Sequence, residues 1–191
     1  DNPELRGKPV LVGGSSRRGV VMAASYEARK FGCRSAMLTA QALRLCPQAI
    51  VVKGGHGKYS AVSRQVFTVV RSFTPDVQPI SIDEAFFDLT NVMHLHARNW
   101  NRGSAWEEKG AIEALTAAGR RIKQAIREAV DLPASIGVSG NKFLAKVCSD
   151  LSKPDGLKIL PPREAEQSLL PMPVGVIFGV GPKAQERLRQ L

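Results

Sequence analysis

The sequence predicts an α/β (α+β) fold, with short strands interleaved with amphipathic helices, on three observations. Short runs such as "PVLVGG", "AIVV" and "LKIL" are rich in β-branched residues and bounded by glycine, proline and polar turns. The stretches 58–73 and 111–130 repeat apolar residues at three and four. At 43% hydrophobic, the 191 residues suffice for one full domain or two small ones with a real core.

In chain order, "PVLVGG" and "GVVMAAS" read as short buried strands joined by the turn "GGSSRRG". "YEARKFG" reads as a short helix closed by Gly32, and "TAQALRLC" as another that stops before Pro47. "AIVVKGG" is a strand, so residues 1–55 form a small α/β unit. Residues 58–73 form an amphipathic helix with Tyr59, Val62, Val66, Val69, Val70 and Phe73 on one face. "VQPISI" and "AFFDLT" are strands flanking Asp83 and Glu84. Residues 92–110 read as a polar loop in which Trp100 and Trp106 are pins. A long helix over 111–130 buries Ile112, Leu115, Ile122 and Ile126 and turns Arg120, Arg121, Lys123 and Arg127 outward. "ASIGVS" is a strand. Asn141 then caps a helix that buries Phe143, Leu144, Val147 and Leu151. After "KPDG" comes the strand "LKIL", and from "PPRE" onward the pattern is helical.

The net charge of +10 suits a polyanionic partner, nucleic acid first and an anionic membrane surface second. No segment approaches the ~18 apolar residues of a membrane span, and no signal peptide opens the chain. Cys33, Cys46 and Cys148 lie far apart without CxxC or zinc spacing. They read as free thiols in a reducing compartment, so a cytoplasmic location is expected. The chain opens in a turn leading straight into a strand and stops inside a helical pattern, so it is expected to be a piece of a longer protein.

Several groups could carry chemistry. Asp83 and Glu84 would point to opposite faces of a straight strand. Where one strand ends and its antiparallel partner begins, both can leave the same end of the sheet and offer hard oxygens to Mg²⁺. The alternative is a solvated hairpin tip. Tyr26 and Arg29, three apart, share a helix face and could grip a phosphate. Lys142, Lys146, Ser149 and Lys153 fall on one polar stripe, which is either a solvated face or, at Lys153, a contact for a polyphosphate. In "GVGPKAQERL", Gly179 and Gly181 open a helix with Lys183 in its first turn, the anatomy of a helix–hairpin–helix that holds a DNA phosphate. "GGSSRRG" lacks the ending of a phosphate-binding loop, and Arg17 and Arg18 read as solvated. His94 and His96 have no third ligand in the sequence pattern.

The order of these motifs is more specific than any one of them. "YEARKFGCRSAM", "SIDEAFFDLT", "SIGVSGNKFLAK", "SDLSKPDGL" and "GVGPKAQERL" together resemble the Y-family translesion DNA polymerases, bacterial polymerase IV branch, over nearly the whole chain. The resemblance implies small α/β fingers over 1–55. It implies a palm with a mixed β-sheet and packed helices over 56–160, and the start of a helical thumb over 161–191. It implies catalytic, Mg²⁺-binding carboxylates at Asp83 and Glu84, and triphosphate contacts from Tyr26, Arg29 and Lys153. DNA contacts are implied at Gly179, Gly181 and Lys183. Val20, Met22 and Ala23 would roof the new base pair, with Met22 bulkier than many such enzymes carry. The implied partners are primer–template DNA, a dNTP and, through a segment beyond residue 191, a sliding clamp.

Members of this family begin with a strand carrying another metal-binding Asp and an aromatic sugar gate, and neither lies within these 191 residues. The chain alone is therefore expected not to extend a primer; the missing strand would leave two palm strand edges unpaired, so the gap is expected to be filled by a partner chain or the palm to be distorted. A second class remains open, a polymerase-like accessory protein without chemistry, although the retained carboxylates and phosphate contacts speak against it. A nucleotidyl cyclase shares a palm-type carboxylate site but not the fingers-like unit or the "GVGPK" turn.

Overall fold

The computed structural model of the chain describes residues 2–14, 16, 18–96, 106 and 110–190. Arg17 and Trp100, singled out above, lie outside the described residues. The chain divides into two compact units, Asp1–Tyr59 and Ser60–Leu191.

The first unit is built on a three-stranded sheet. Strand β1 (Val10–Gly13) pairs antiparallel with β2 (Val21–Ala24) and parallel with β3 (Ile50–Val52). Between β1 and β2 the Gly19 N–H donates to the Ser16 carbonyl at 2.8 Å. A side chain on Gly19 would sit 2.0 Å from the Gly14 carbonyl oxygen, so the close backbone approach requires glycine there. Helices α1 (Tyr26–Arg29) and α2 (Thr39–Leu45) cover the sheet. Leu11, Val21, Ala24, Ala28, Ala42, Cys33 and Cys46 form its core. Both cysteines are free thiols, and burial pushes the Cys33 thiol above its ordinary pKa. Ser25 sets the start of α1. Its hydroxyl accepts from the N–H of Ala28 at 3.2 Å and from the N–H of Val10 at 3.0 Å, tying helix to strand.

Helix α3 (His56–Phe73) runs across the division between the units. In the second unit, β4 (Val77–Pro79) and β5 (Ala85–Phe87) form an antiparallel hairpin. Helix α4 (Met93–His96) leads toward the long α5 (Ala111–Val130). Strand β6 (Ile136–Ser139), helix α6 (Lys142–Leu151) and strand β7 (Leu157–Leu160) form a right-sized β–α–β unit with parallel strands. Asn141 caps α6 as expected, its side chain accepting from the N–H of Leu144 at 2.9 Å. Helices α7 (Ala165–Leu169) and α8 (Pro182–Leu188) follow.

The main core of the second unit joins Val70 of α3, Ile122 and Ile126 of α5 and Ile136 of β6, with Val77, Phe87 and Leu157 packed against them. Both strand pairs thus rest on one helical layer. They do not pair with each other among the described residues, so the antiparallel and parallel ladders leave the interrupted sheet that the missing strand leads one to expect.

Four expectations are corrected. The polar segment 92–110 contains a helix, because Met93 is buried against Leu115 and Ala118, and Trp106 packs on the same cluster. Ile112, Phe143 and Leu151 are exposed rather than buried. In α5 the inward stripe runs through Ala111, Leu115, Ala118, Ile122 and Ile126, which leaves Ile112 on the flank. In α6 the stripe is rotated toward Leu144, Val147 and Cys148, and Lys146 is buried with it. Lys123, read as outward, is drawn onto the turn after α6.

Candidate functional site

In the second unit, β4 and β5 are held by the register Val77–Phe87, Gln78–Phe86 and Pro79–Ala85. Asp83 and Glu84 fall immediately before β5, in the connection between the strands. The Glu84 carbonyl accepts from the N–H groups of Ile80 at 2.8 Å and Ser81 at 3.1 Å and closes that connection. Both carboxylates therefore sit at one end of the hairpin, where consecutive residues need not obey the strand alternation.

Their surroundings differ. Asp83 is exposed, and its Oδ1 accepts from the Ser81 hydroxyl at 2.7 Å. Glu84 is half-buried and meets two lysines from α6 and the turn after it. Lys146 Nζ lies 2.5 Å from Glu84 Oε1, and Lys153 Nζ lies 3.8 Å from the same oxygen. Asp150 completes the group, with Oδ1 3.2 Å from Lys146 Nζ and 2.7 Å from Lys153 Nζ. Glu84, Lys146, Asp150 and Lys153 thus form a ring of alternating charge. Helical spacing brings the last three together, since Lys146 and Asp150 are four apart and Asp150 and Lys153 three apart.

The ring sets the ionisation of Asp150 and Lys146. Burial pushes the Asp150 carboxyl up, but Lys153 and Lys146 outweigh it and hold its pKa below the ordinary value. Burial pushes Lys146 down, but the Glu84 and Asp150 carboxylates outweigh it and hold its pKa above the ordinary value. Both groups are therefore charged over the whole neutral range.

The turn that carries Lys153 is clamped from α5. Lys123 Nζ donates to Asp155 Oδ1 at 2.6 Å, to the Asp155 carbonyl at 2.8 Å and to the Ala134 carbonyl at 2.5 Å. Arg127 Nη2 donates to Asp155 Oδ2 at 2.8 Å. On the other side of the hairpin, Lys142 donates to the Gln78 side chain and lies over the Phe86 ring. The polar stripe of α6 is thus engaged by the second unit's own residues rather than left in solvent.

In the first unit, Tyr26 and Arg29 share the exposed face of α1 as their spacing predicts. The Arg29 guanidinium lies 4.9 Å from the Tyr26 ring centre, and its Nε donates to the Ala24 carbonyl at 3.0 Å. In the second unit, Gly179 has φ +90° and Gly181 precedes α8, which Pro182 opens. The Gly181 N–H donates to the Gly179 carbonyl at 3.2 Å, and Lys183 is exposed in the first turn. His96 packs on Phe73, with its Nε2 3.2 Å from the Phe73 carbonyl oxygen.

Adjacent hard carboxylate oxygens match a cation that takes one or two carboxylates and completes its shell with substrate phosphates. Asp83 and Glu84 are donors of that kind; among the described residues no group of three or more His, Cys, Asp or Glu gathers that could hold a metal. Sequence reasoning placed Glu84 and Lys153 but missed Lys146 and Asp150 as members of the site. The signal was present as Lys–x₃–Asp–x₂–Lys on one helix face, and what was missing was the hairpin end that meets it.

Three comparisons bear on this arrangement. The impB/mucB/samB family profile matches residues 1–150. The chain is 45% identical, over its full length, to DNA polymerase IV of Akkermansia muciniphila and to that of Bacteroides fragilis, covering 49% and 48% of those proteins. It therefore spans about half the length of the curated relatives it matches. Among solved structures it is similar to DinB from Sulfolobus solfataricus, with a TM-score of 0.84 and 33% identity over 99% of this chain and 51% of that one. It is similar also to an insertion ternary complex of Dbh DNA polymerase, with a TM-score of 0.83 and 33% identity over 99% of this chain and 52% of that one. With the family profile matched over most of its length and the motif order of the Y-family polymerases on the fold those structures share, the chain belongs to the impB/mucB/samB family.

Proposed function

We propose that the protein in which this chain occurs is a translesion DNA-directed DNA polymerase that adds a dNMP to a primer 3′-hydroxyl. The observation that carries this reading is the hairpin end. It presents Asp83 beside Glu84, with Lys153 within 3.8 Å of Glu84 and 45% exposed. An exposed lysine beside a carboxylate pair is the arrangement that a triphosphate with its counter-ion needs.

Asp83 and Glu84 are the residues that would hold Mg²⁺, which when bound offsets charge on the attacking and leaving oxygens of an in-line displacement. Lys153 leaves the carboxylates for the triphosphate and neutralises part of its charge. Within the first unit, Tyr26 and Arg29 are assigned to triphosphate contact, Arg29 as a bidentate donor and Tyr26 as a hydroxyl donor. Gly179, Gly181 and Lys183 are assigned to a DNA phosphate, which would position the duplex without reading its sequence. The fingers, palm and thumb assignments of residues 1–55, 56–160 and 161–191 belong to the same reading. So do primer–template DNA as partner and a cytoplasmic location. No helix among the described residues is long and apolar enough to cross a membrane.

Primer extension by the protein that contains this chain tests the reading. Asp83→Asn and Glu84→Gln are each expected to lower the rate by about a hundredfold or more, since even outer-shell partners of a metal are worth 10–100-fold. Extension at the unaltered rate by both variants would overturn it.

A further inference from the structure

Lys146 is the cation of the charged ring that the proposed chemistry does not use. It cannot act as Lys153 does. Its side chain is 10% exposed against 45% for Lys153, and the Phe178 ring lies 5.5 Å from its Nζ. With little access to solvent, its ammonium has two anionic resting places, Glu84 at 2.5 Å and Asp150 at 3.2 Å. It lies closer to Glu84, the carboxylate that the metal reading assigns to a divalent ion. An ammonium and a divalent ion on one carboxylate would repel each other strongly in a half-buried site.

We propose that Lys146 is a positioning residue that acts as a placeholder cation. It neutralises and orients Glu84 until a divalent ion binds, and then shifts onto Asp150, which retains it. The shift is short because Lys146 already contacts both carboxylates and its four-carbon stem is flexible. Asp150 is thereby a residue acting through Lys146, four positions along α6, and not a metal ligand. Lys146 competes with the metal, and Asp150 eases that competition.

This inference rests on Asp83 and Glu84 as the metal site, and the test separates the two. The probe is Mn²⁺ alone, titrated against the 191-residue chain by electron paramagnetic resonance without DNA or nucleotide. Glu84→Gln is compared with the unaltered chain to check the site. The remaining variants are made in a Lys153→Met background, so that only Lys146 can reach Glu84. Lys146→Met is expected to bind Mn²⁺ about tenfold more tightly, and Asp150→Asn about threefold more weakly. In the double variant, Asp150→Asn is expected to lose its effect, because Asp150 acts only by receiving Lys146. If Asp150→Asn weakens binding by the same factor with and without Lys146, the carboxylate acts as a bulk charge and the proposal is overturned. It is overturned equally if Lys146→Met binds no more tightly. If Glu84→Gln leaves Mn²⁺ affinity intact, the metal-site reading fails, and the proposal with it. Circular dichroism verifies folding. Should Lys146→Met not fold, Lys146→Gln removes the same charge and decides by the same criteria.

Discussion

Asp150 shows how a single side chain couples the site to stability. Its folded pKa is held below the ordinary 3.8 because Lys153 and Lys146 outweigh the cost of its burial. A carboxyl depressed in the folded state stabilises the fold above its unfolded pKa and loses that contribution as pH falls through its folded pKa. Unfolding free energy from urea titrations is therefore expected to drop as pH falls below about 4, with Asp150→Asn showing a shallower drop. The side chain is 39% exposed, so solvent screening keeps its share at or below about 1 kcal/mol. Glu27, Asp88 and Asp155 also have lowered pKa values and contribute to the same acid loss, so the variant flattens the profile without abolishing it. An unchanged acid profile in Asp150→Asn would show that the two lysines do not stabilise its charge. Glu84 and Lys153 were singled out in the sequence as candidates from "SIDEA" and "SKPDG", and the fold brings their side chains to within 3.8 Å. Lys146 was not, since a stripe of lysines looks the same in sequence whether water or a hairpin faces it.

The elements were more legible than their faces. The three- and four-residue periodicity marked α5 over its whole length, 111–130, and the Asn141 cap marked the start of α6. Which residues point inward depended on what each helix meets. Gly137 shows this most directly. It lies mid-strand in β6, where glycine looks like a simple weakness in a strand. A Cβ there would stand 2.1 Å from the Ala145 carbonyl oxygen and 2.2 Å from the Ser149 nitrogen, both backbone atoms of α6. The strand and helix therefore approach to backbone contact, and this rotates α6 so that Lys146 and Val147 face inward while Phe143 and Leu151 flank. Backbone atoms cannot swing aside as a flexible side chain can. Gly137→Ala is expected to cost about 3 kcal/mol and to displace α6 from β6, carrying Lys146 and Asp150 with it. Denaturant unfolding measures the first effect. Loss of the Lys146–Glu84 coupling in a double-mutant cycle measures the second. Gly119→Ala is a milder comparison, because the atoms its Cβ would meet belong to the flexible Leu157 side chain. Equal stability of Gly137→Ala and the unaltered chain would contradict the backbone contact.

At the scale of the whole chain, charge is unevenly distributed in a way composition alone does not show. The first unit holds ten Lys and Arg against three Asp and Glu, and so carries most of the net charge of +10. In the second unit many cations are already matched within the fold, as Lys123 and Arg127 are by Asp155, and Lys146 and Lys153 by Asp150. The α/β class and the motif order were legible because they are local patterns. That the sheet would be interrupted was legible from the absent strand, but the register of each remaining ladder was not, because strand pairing is set by partners distant in sequence. On the proposed reading, in which DNA is held through its phosphates, a chain of this net charge would bind by releasing counter-ions. If the chain neutralises about four phosphates, log K should fall with log salt at a slope near −3.6, which weakens binding about a hundredfold between ~50 and ~200 mM salt. The loss should be the same for primer–template DNAs of unrelated sequence, because phosphate contacts carry no sequence information. Fluorescence anisotropy with two unrelated duplexes measures both quantities. Affinity that holds constant over that salt range, or that differs strongly between the duplexes, would mean the excess positive charge is not the DNA-binding determinant of this chain.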